Sequence, residues 1–296
     1  MHTFLLITEF GIVDAFILVV ACIGFSLQFG VTNYVNFAYA AFITFGAYMA
    51  YAVDSTFHVN LALAFVGAAL STGLLAFVIG RFVYGPFVKR RPQLLFVLVL
   101  TFAVWSILDA TYLIIWGTDY KQLSFNLQNA YLVGPFNITS AEVLFILLGL
   151  GSLVAVHSIL RYTRLGKSMR AMSDDLSLAR VCGLNTQRIT DITWVISGCL
   201  AGIAGVVQAI QASSFTTALG DNFVYLIFAA VTFGGIGRIY GAVVGALVIG
   251  LTIQLTVPVI GAALSPGMVF VVLVAMMLVR PNGLLGPTGR TVFGRA

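Results

Sequence analysis

The chain has 296 residues, of which 8% are charged and 60% are hydrophobic, with a formal net charge of +5 and a mean hydropathy of +1.05. A soluble globular domain carries about a quarter of its residues as Asp, Glu, Lys or Arg. This composition therefore excludes a soluble enzyme, a disordered tail and a free-standing nucleic-acid binder, and it predicts an integral membrane protein. Only Glu9 and Asp14 accompany the first apolar run, so the basic start of a secretory signal is missing.

The apolar runs are long enough for membrane-spanning helices, which need about 20 residues to cross a hydrocarbon layer about 30 Å thick. Nine spans are predicted, and a count of eight or ten stays open because a short or broken segment can re-enter the membrane. The predicted spans are Phe10–Phe29, Asn33–Val53, Leu61–Val83, Leu94–Trp116, Val143–Leu160, Ile192–Ala212, Asn222–Gly237, Gly241–Val257 and Gly261–Val279.

The predicted fold class is therefore an all-α, polytopic membrane helical bundle. Residues 1–296 are expected to form a single transmembrane domain. The stretch from Gly241 to Val279 has no charged residue, and a turn near Pro258 is expected to divide it into two helices.

Two predicted spans differ from the others in polarity, length and glycine content. Asn33–Val53 carries two asparagines at its inner end, and Asn222–Gly237 is short and ends in a cluster of glycines. Each contains a related run, FITFG at residues 42–46 and AVTFG at residues 230–234. Paired segments of this kind in the two halves of a chain indicate a transport site at an inverted-repeat interface. For any single residue, close helix packing is an equal alternative.

Glycine pairs and isolated polar residues elsewhere in the spans have a second explanation. Gly198-xxx-Gly202 and Gly241-xxx-Gly245 have the spacing that brings two helices close together. Asp109 lies near the outer end of its span, where it is a candidate functional residue but can also reach the membrane surface. A transporter driven by protons or sodium needs more buried ionisable groups than these spans contain.

The basic residues fall on one side of the membrane when the spans are traced in order. With the N-terminus outside, 14 of the 15 Lys and Arg residues lie in inside loops, and only Lys121 lies outside. Because inside loops carry an excess of Lys and Arg, we predict an external N-terminus and a cytoplasmic C-terminus. The inside residues are Arg81, Lys89, Arg90, Arg91, Arg161, Arg164, Lys167, Arg170, Arg180, Arg188, Arg238, Arg280, Arg290 and Arg295.

Residues 161–191 form the longest predicted inside loop, and short helices are expected within it. Ser173 is placed to N-cap a helix whose first turn carries Asp174 and Asp175, where acidic groups suit the helix dipole. Gly183 is a typical residue at which such a helix stops.

The predicted helix in this loop has a short apolar face formed by Leu176, Ala179 and the pair Val181–Cys182. An amphipathic helix on the cytosolic side can lie on the lipid surface or dock into a cytosolic partner. A solvated basic loop is the third alternative.

No nucleotide or metal site is predicted in the chain. Gly166-Lys167-Ser168 resembles the end of a phosphate-binding loop, but Arg161 stands where the first glycine is needed and no strand precedes it. His2, His58 and His157 are far apart in the sequence and have no metal-ligand spacing. We therefore expect no cofactor to be bound by this chain.

Five segments together resemble the permease subunits of branched-chain (hydrophobic) amino acid ABC importers, specifically the shorter, H-type subunit. They are GFSLQFGVTNYVNFAYAAFITFGAYMA at 24–50, TRLGKSMRAMSDDLSLARVCGLN at 163–185, SGCLAGIAGVVQA at 197–209, FGGIGRIYGAVVGALVIG at 233–250 and RPNGLLG at 280–286. The resemblance covers nearly the whole chain. It departs from the family at Tyr39-Ala40, which stands where family members usually have His-Gly.

The resemblance implies a transport subunit of the bacterial inner membrane that is not itself an enzyme. Its implied partners are a second permease subunit, two cytosolic ATPases that bind ATP-Mg, a periplasmic substrate-binding protein and membrane lipid, with no nucleic acid. The implied ATPase-coupling residues are Leu165, Gly166, Met169, Arg170, Ala171, Asp174, Ala179, Gly183 and Leu184. Asn33, Asn36 and Tyr39 match positions near the pathway, to which the paired segments add Thr44, Phe233, Gly234 and Gly235.

Three other functions stay open at this point. Relatives resembling this family also carry urea, amides or other small polar solutes, so the substrate is not settled. A secondary transporter working alone would transport without ATPase subunits. A membrane-embedded enzyme is less well supported, because Asp174 and Asp175 would point about 100° apart on a helix and form no facing catalytic pair.

The predicted sidedness can be tested with an epitope tag at residue 1. The tag should bind antibody on intact spheroplasts, because the positive-inside rule places this end outside. A tag after residue 296 is the matched control and should bind antibody only after permeabilisation. A tag at residue 1 that is reached only from the cytoplasm would contradict the orientation.

Overall fold

The structure, a computed structural model, describes residues 2–57, 60–90, 93–123, 125, 130–133, 136–261, 264–280 and 283–285. Within these residues the chain is almost entirely helical, which confirms the all-α fold class. The helices are α1 (His2–Thr32), α2 (Tyr39–Phe57), α3 (Leu61–Val78), α4 (Gly85–Lys89), α5 (Leu94–Trp116), α6 (Ser140–Tyr162), α7 (Arg164–Asp174), α8 (Leu176–Val181), α9 (Thr186–Gln211), α10 (Leu219–Gly234), α11 (Ile239–Ile260) and α12 (Ser265–Val279).

Two further elements were not predicted from the sequence. A π-helical segment, Ile79–Tyr84, joins α3 to α4 without a break. Strands β1 (Ala130–Val133) and β2 (Phe136–Thr139) form an antiparallel hairpin in which Ala130 pairs with Thr139. The hairpin leads directly into α6, where the Glu142 carboxylate accepts a hydrogen bond of 2.7 Å from the Thr139 backbone N–H.

Six helical segments of the described chain are long and apolar enough to cross a membrane, judged by length and composition. They are Thr8–Thr32, Leu61–Lys89, Leu94–Trp116, Ser140–Tyr162, Thr186–Gln211 and Ile239–Ile260. Helix α2 has 19 residues and is not among these six, while α10 and α12 are shorter apolar helices of 16 and 15 residues. The chain is therefore a multi-pass membrane protein.

The predicted start of the second span was wrong, and the predicted turn near Pro258 is confirmed. The second span does not begin at Asn33, because Asn33 has a left-handed φ of 59° and α2 starts only at Tyr39. The predicted division of Gly241–Val279 into two helices near Pro258 is confirmed, because α11 ends at Ile260, two residues after this proline. The turn lies at Gly261, whose φ of 84° is readily adopted only by glycine.

The chain divides into two compact units. One comprises Met1–Ser26, Asn126–Leu153 and Tyr225–Ala296, and the other comprises Leu27–Phe125 and Val154–Val224. We call them the terminal unit and the central unit, respectively. The candidate site residues fall into both units.

In the central unit, α2, α3 and α9 pack at backbone distance through glycines. A Cβ added at Gly46 of α2 would lie 2.5 Å from the Cα of Gly202 in α9. One turn earlier in α9, a Cβ at Gly198 would lie 2.5 Å from the Cβ of Ala76 in α3. The predicted packing role of Gly198-xxx-Gly202 is confirmed, and Gly46 has the same role.

In the terminal unit, α10 and α11 approach each other in the same way. A Cβ at Gly241 would overlap the backbone oxygen of Gly234, and a Cβ at Gly245 would overlap that of Ala230. The predicted packing role of the Gly241-xxx-Gly245 pair is thus confirmed. Helix α1 also packs on α11, and there the Gln254 amide donates a hydrogen bond of 2.6 Å to the Asp14 carboxylate.

Replacing Gly205 with alanine should destabilise the central unit, because the new Cβ would overlap the backbone oxygen of Ile43. Overpacking against a backbone that cannot yield costs about 1–3 kcal/mol. Gly67→Ala is a matched control in α3, since its Cβ would meet only Val53 Cγ2 at an ordinary 3.5 Å. Denaturation in detergent should show a loss for Gly205→Ala relative to Gly67→Ala. Equal stability of the two variants would contradict this packing.

Candidate functional site

The break between α1 and α2 is built by the two asparagines of the first predicted pathway segment. Asn33 ends α1 in a left-handed conformation, and its N–H donates to the Phe29 carbonyl at 2.7 Å. Asparagine tolerates this conformation better than most residues, which explains its place at a helix end. Asn33 is exposed, whereas Asn36 is buried with only 1% of its surface accessible.

Asn36 connects the start of α2 to the π-helical segment. Its Oδ1 accepts one hydrogen bond from the Ala38 N–H at 3.1 Å and another from the Tyr84 hydroxyl at 3.0 Å. The backbone oxygen of Asn36 accepts from the Tyr39 N–H at 3.2 Å, so both parts of the residue shape the first turn. The Asn36 Nδ2 has no hydrogen-bond partner among the described residues, which leaves one buried donor available.

The π-helical segment directs Tyr84 towards this asparagine. Tyr84 stacks on Tyr34 with ring centroids 5.9 Å apart and on Trp194 at 5.0 Å. Gly80 allows the contact with α9, because a Cβ there would lie 2.5 Å from the Trp194 ring. Segments of π-helix are frequent at functional sites, but no periodicity in the sequence signals this one.

The other predicted pathway residues of the central unit are buried in α2. Tyr39 has no accessible surface, and Thr44 has 1%. The Thr44 hydroxyl donates to the Thr217 carbonyl at 3.3 Å and accepts from the Gly220 N–H at 3.0 Å. Thr44 therefore holds α2 against the beginning of α10.

The predicted pathway residues of the terminal unit lie at the end of α10. The Phe233 and Gly234 carbonyls accept hydrogen bonds from the Leu284 N–H at 2.9 Å and the Leu285 N–H at 3.2 Å. Gly235 has a φ of 108°, and a Cβ at Gly283 would lie 2.5 Å from its nitrogen. Residues 283–285 thus cap α10, a role that the RPNGLLG motif did not reveal.

The predicted coupling loop contains two short helices, but their ends differ from the prediction. Ser173 does not N-cap a helix, because it lies inside α7. The N-cap is Asp175, whose Oδ1 accepts from the Ser177 N–H at 2.8 Å and the Leu178 N–H at 3.0 Å. The predicted stop at Gly183 is confirmed by its φ of 80°.

Helix α7 follows α6 after one residue. Thr163 N-caps α7 by accepting from the Gly166 N–H at 3.1 Å. A Cβ at Gly166 would overlap the backbone of Ile159 and Leu160, so only glycine fits this close turn. The glycine of the sequence Gly-Lys-Ser therefore serves a helix turn and not a phosphate-binding loop.

The implied coupling residues differ in their solvent accessibility. Gly166, Met169 and Ala179 are buried, while Arg170, Asp174 and Gly183 are exposed and the others are intermediate.

The predicted apolar face of α8 was wrong in its composition. Ala179 is turned inward with 3% accessible surface, whereas Leu178 and Val181 are exposed to 60% and 85%. Residues three apart share a helix face, so the exposed apolar face of α8 is formed by Leu178 and Val181.

The predicted charge distribution and metal chemistry concern some residues that the structure does not describe. Arg91, Arg290 and Arg295 lie outside the described residues, as does His58. Among the residues that are described, no group of three His, Cys, Asp or Glu side chains is placed to hold a metal ion.

Comparison with known proteins relates most of the chain to one family. Residues 7–280 match the family model of the branched-chain amino acid transport system permease component. The chain is 25% identical over 278 residues to the high-affinity branched-chain amino acid transport system permease protein LivH of Salmonella typhimurium, covering 89% of each chain. It is 26% identical over 302 aligned residues to the probable branched-chain amino acid transport permease protein LivH of Methanocaldococcus jannaschii, covering 95% of this chain and 92% of that protein.

A shorter match relates part of the chain to a permease named for a different solute. The ribose import permease protein RbsC of Escherichia coli is 30% identical over 97 residues, which is 31% of this chain and 30% of that protein. The solved structures give no significant match. Because the family model covers most of the chain, this protein belongs to the family of permease components of branched-chain amino acid transport systems.

Proposed function

We propose that this chain is a permease subunit of an ATP-driven ABC importer in the bacterial inner membrane. It pairs with a second permease subunit to form the pathway for branched-chain or other hydrophobic amino acids. Residues 1–296 act as one transmembrane domain, with residues 161–191 as its coupling segment. The full-length relationship to LivH proteins supports this function.

The observation that carries the proposal is the exposed apolar face of α8. Leu178 and Val181 are the most exposed aliphatic side chains of the segment, at 60% and 85%, and exposed basic and polar side chains such as Arg170, Asp174 and Arg180 surround them in the sequence. An exposed apolar pair on a short capped helix is suited to dock into a groove of a partner protein. We assign that partner as a cytosolic ATPase, which binds ATP-Mg while this chain binds no cofactor.

The buried residues of the loop have a different part in this proposal. Met169 and Ala179 are almost fully covered by their own unit, so they anchor the segment. Arg170, Asp174 and Gly183 remain on the outside with α8. ATP-driven closure of the ATPases then moves a segment that is firmly attached to the membrane helices, and the pathway switches from inward- to outward-facing.

The proposed sidedness follows from the charge distribution. An external N-terminus leaves the coupling segment and the other basic loops in the cytosol. The opposite face then receives substrate from a periplasmic binding protein, which carries most of the substrate specificity.

A different small solute is the alternative substrate. The partial match to a ribose import permease supports a shared transport scaffold with variable cargo. Urea and amides fit the same scheme, and Tyr39-Ala40 is the departure from the usual family sequence that bears on this choice.

Reconstitution tests the proposed function directly. The chain is purified with its co-encoded permease and ATPase subunits, placed in proteoliposomes, and given the associated binding protein loaded with radiolabelled leucine, ribose or urea. Leucine uptake should require ATP and the ATPase subunits. Uptake by this chain without ATPases would identify a secondary transporter and overturn the proposal. Uptake of ribose or urea alone would retain the importer and replace the substrate.

Polar substitutions on α8 should uncouple ATP hydrolysis from uptake. Leu178→Ser with Val181→Ser removes the proposed docking face from a surface position, so insertion and folding should be unchanged. Ala179→Leu overpacks the buried anchor of α8 and Gly183→Leu strains its left-handed stop, so both should uncouple by displacing α8 and not by removing its apolar face. Arg188→Ser is the control, because it is exposed in the same region but outside α8. Unchanged coupled uptake in the double variant would argue against docking there.

At Asn36, replacement by leucine should reduce uptake by more than it reduces assembly. The variant removes the free Nδ2 donor, which we assign to the pathway, and it also leaves the Ala38 N–H and Tyr84 hydroxyl unpaired. Each buried unpaired group costs about 1–3 kcal/mol of stability. Tyr84→Phe is the control, since it breaks the same side-chain hydrogen bond but retains the amide. Uptake per assembled complex that is equal in both variants would indicate a structural role only.

A further inference from the structure

A cavity of about 330 Å³ lies within the central unit, beside the coupling segment. Its walls come from the end of α1, the π-helical segment with α4, helices α7 and α8, and the first turns of α9. All the described residues that line it belong to the central unit. Ligand pockets commonly have volumes of about 300–1,000 Å³, so a small molecule or part of a lipid can be accommodated.

One side of this cavity is apolar and largely aromatic. Tyr34, Tyr84 and Trp194 line it as a continuous stack, with interplanar angles of 24° and 26° between successive rings. Val31 and Val88 add aliphatic surface. This wall is rigid, because Trp194 is 1% exposed and Tyr84 is bonded to Asn36.

The cavity is also lined by two positively charged residues, Lys89 and Arg180, in contrast to its apolar aromatic wall. No Asp or Glu is among the lining residues in the described chain, and neither cation forms an ion pair there within 4.0 Å. The nearby Arg81 differs, since its guanidinium contacts Asp191 at 2.8 Å. Two exposed cations, with no carboxylate within 4.0 Å among the described residues, therefore border a cavity whose other side is aromatic.

We propose that this cavity binds an amphipathic anion, with its charged group held by Lys89 and Arg180 and its apolar part against the aromatic wall. Charge-assisted hydrogen bonds favour a carboxylate or phosphate at the cations, and apolar surface favours a hydrocarbon portion. An anionic phospholipid of the inner leaflet and a free aliphatic carboxylate of the cytosol share this chemistry. The inner-leaflet and cytosolic sources rest on the sidedness in the proposed function.

The cavity lies between the coupling segment and the membrane-spanning helices of the central unit, so a bound molecule would contact both. Met172, Leu176 and Arg180 of the coupling segment line one part of it, and Tyr84 and Trp194 of the membrane-spanning helices line another. A molecule in contact with both stabilises the present arrangement of α7 and α8 on the unit. The site thus links an anion to the segment that we assign to ATPase docking.

Binding can be measured on the full-length chain in nanodiscs, without ATPases or transport, so its failure is separate from failure of the proposed function. In the first arm, native mass spectrometry follows retention of phosphatidylglycerol in mixed phosphatidylcholine nanodiscs. In the second arm, 4-methylpentanoate is titrated into nanodiscs of phosphatidylcholine alone while tryptophan fluorescence is recorded, because Trp194 forms the wall. Inorganic phosphate is the anion without an apolar part and should not saturate the signal.

The wild-type chain should retain phosphatidylglycerol, bind 4-methylpentanoate saturably, or do both, and the positive arm identifies the source. Lys89→Gln with Arg180→Gln should weaken that binding by about tenfold, the loss expected for a charge-assisted hydrogen bond. Thr190→Phe should abolish it by filling the cavity without changing charge. Lys167→Gln with Arg188→Gln is the charge-matched control outside the lining. No binding in either arm, or equal weakening by the control pair, would overturn the proposal.

Discussion

Helix ends among apolar segments leave backbone groups that water does not reach, and this chain satisfies them with its own side chains and loops. At the start of α2, Asn36 accepts from the Ala38 N–H and is held in place by Tyr84. At the end of α10, the N–H groups of residues 283–285 include two that donate to the last helical carbonyls. These two helix ends lie in the predicted spans Asn33–Val53 and Asn222–Gly237, which differ from the other spans in polarity and glycine content. Irregular backbone at these positions is tolerated because its partners are built in.

A second constraint, the need for close contact between helices in lipid, explains why glycines are placed where helices meet. Gly46 and Gly202 bring α2 and α9 to backbone distance in the central unit, and Gly234 and Gly241 do so for α10 and α11 in the terminal unit. Since lipid tails are as apolar as leucine, close van der Waals contact is the main gain available to helices in a membrane. The glycines of the two paired segments therefore have a packing role in addition to any role in a pathway.

Composition and spacing were sufficient to predict the helical class and the stop at Gly183, because each depends on local sequence. The helix start at Asp175 was missed because Ser173 offers an equally suitable capping side chain, and the choice depends on where α7 ends. The orientation of α8 depends on what Ala179 packs against. The Tyr84–Asn36 hydrogen bond joins residues 48 positions apart and needs a π-helical turn, neither of which leaves a periodic signal.

The turn between α6 and α7 determines how firmly α7 is attached to the end of α6. Only Thr163 separates the two helices, its hydroxyl donates to the Ile159 carbonyl at 2.5 Å, and Gly166 lies against the end of α6. This connection is one residue long and is held by a hydrogen bond and a close backbone contact, so it leaves little conformational freedom between the two helices. The direction in which α7 leaves the end of α6 is therefore fixed by one residue, one hydrogen bond and one close backbone contact.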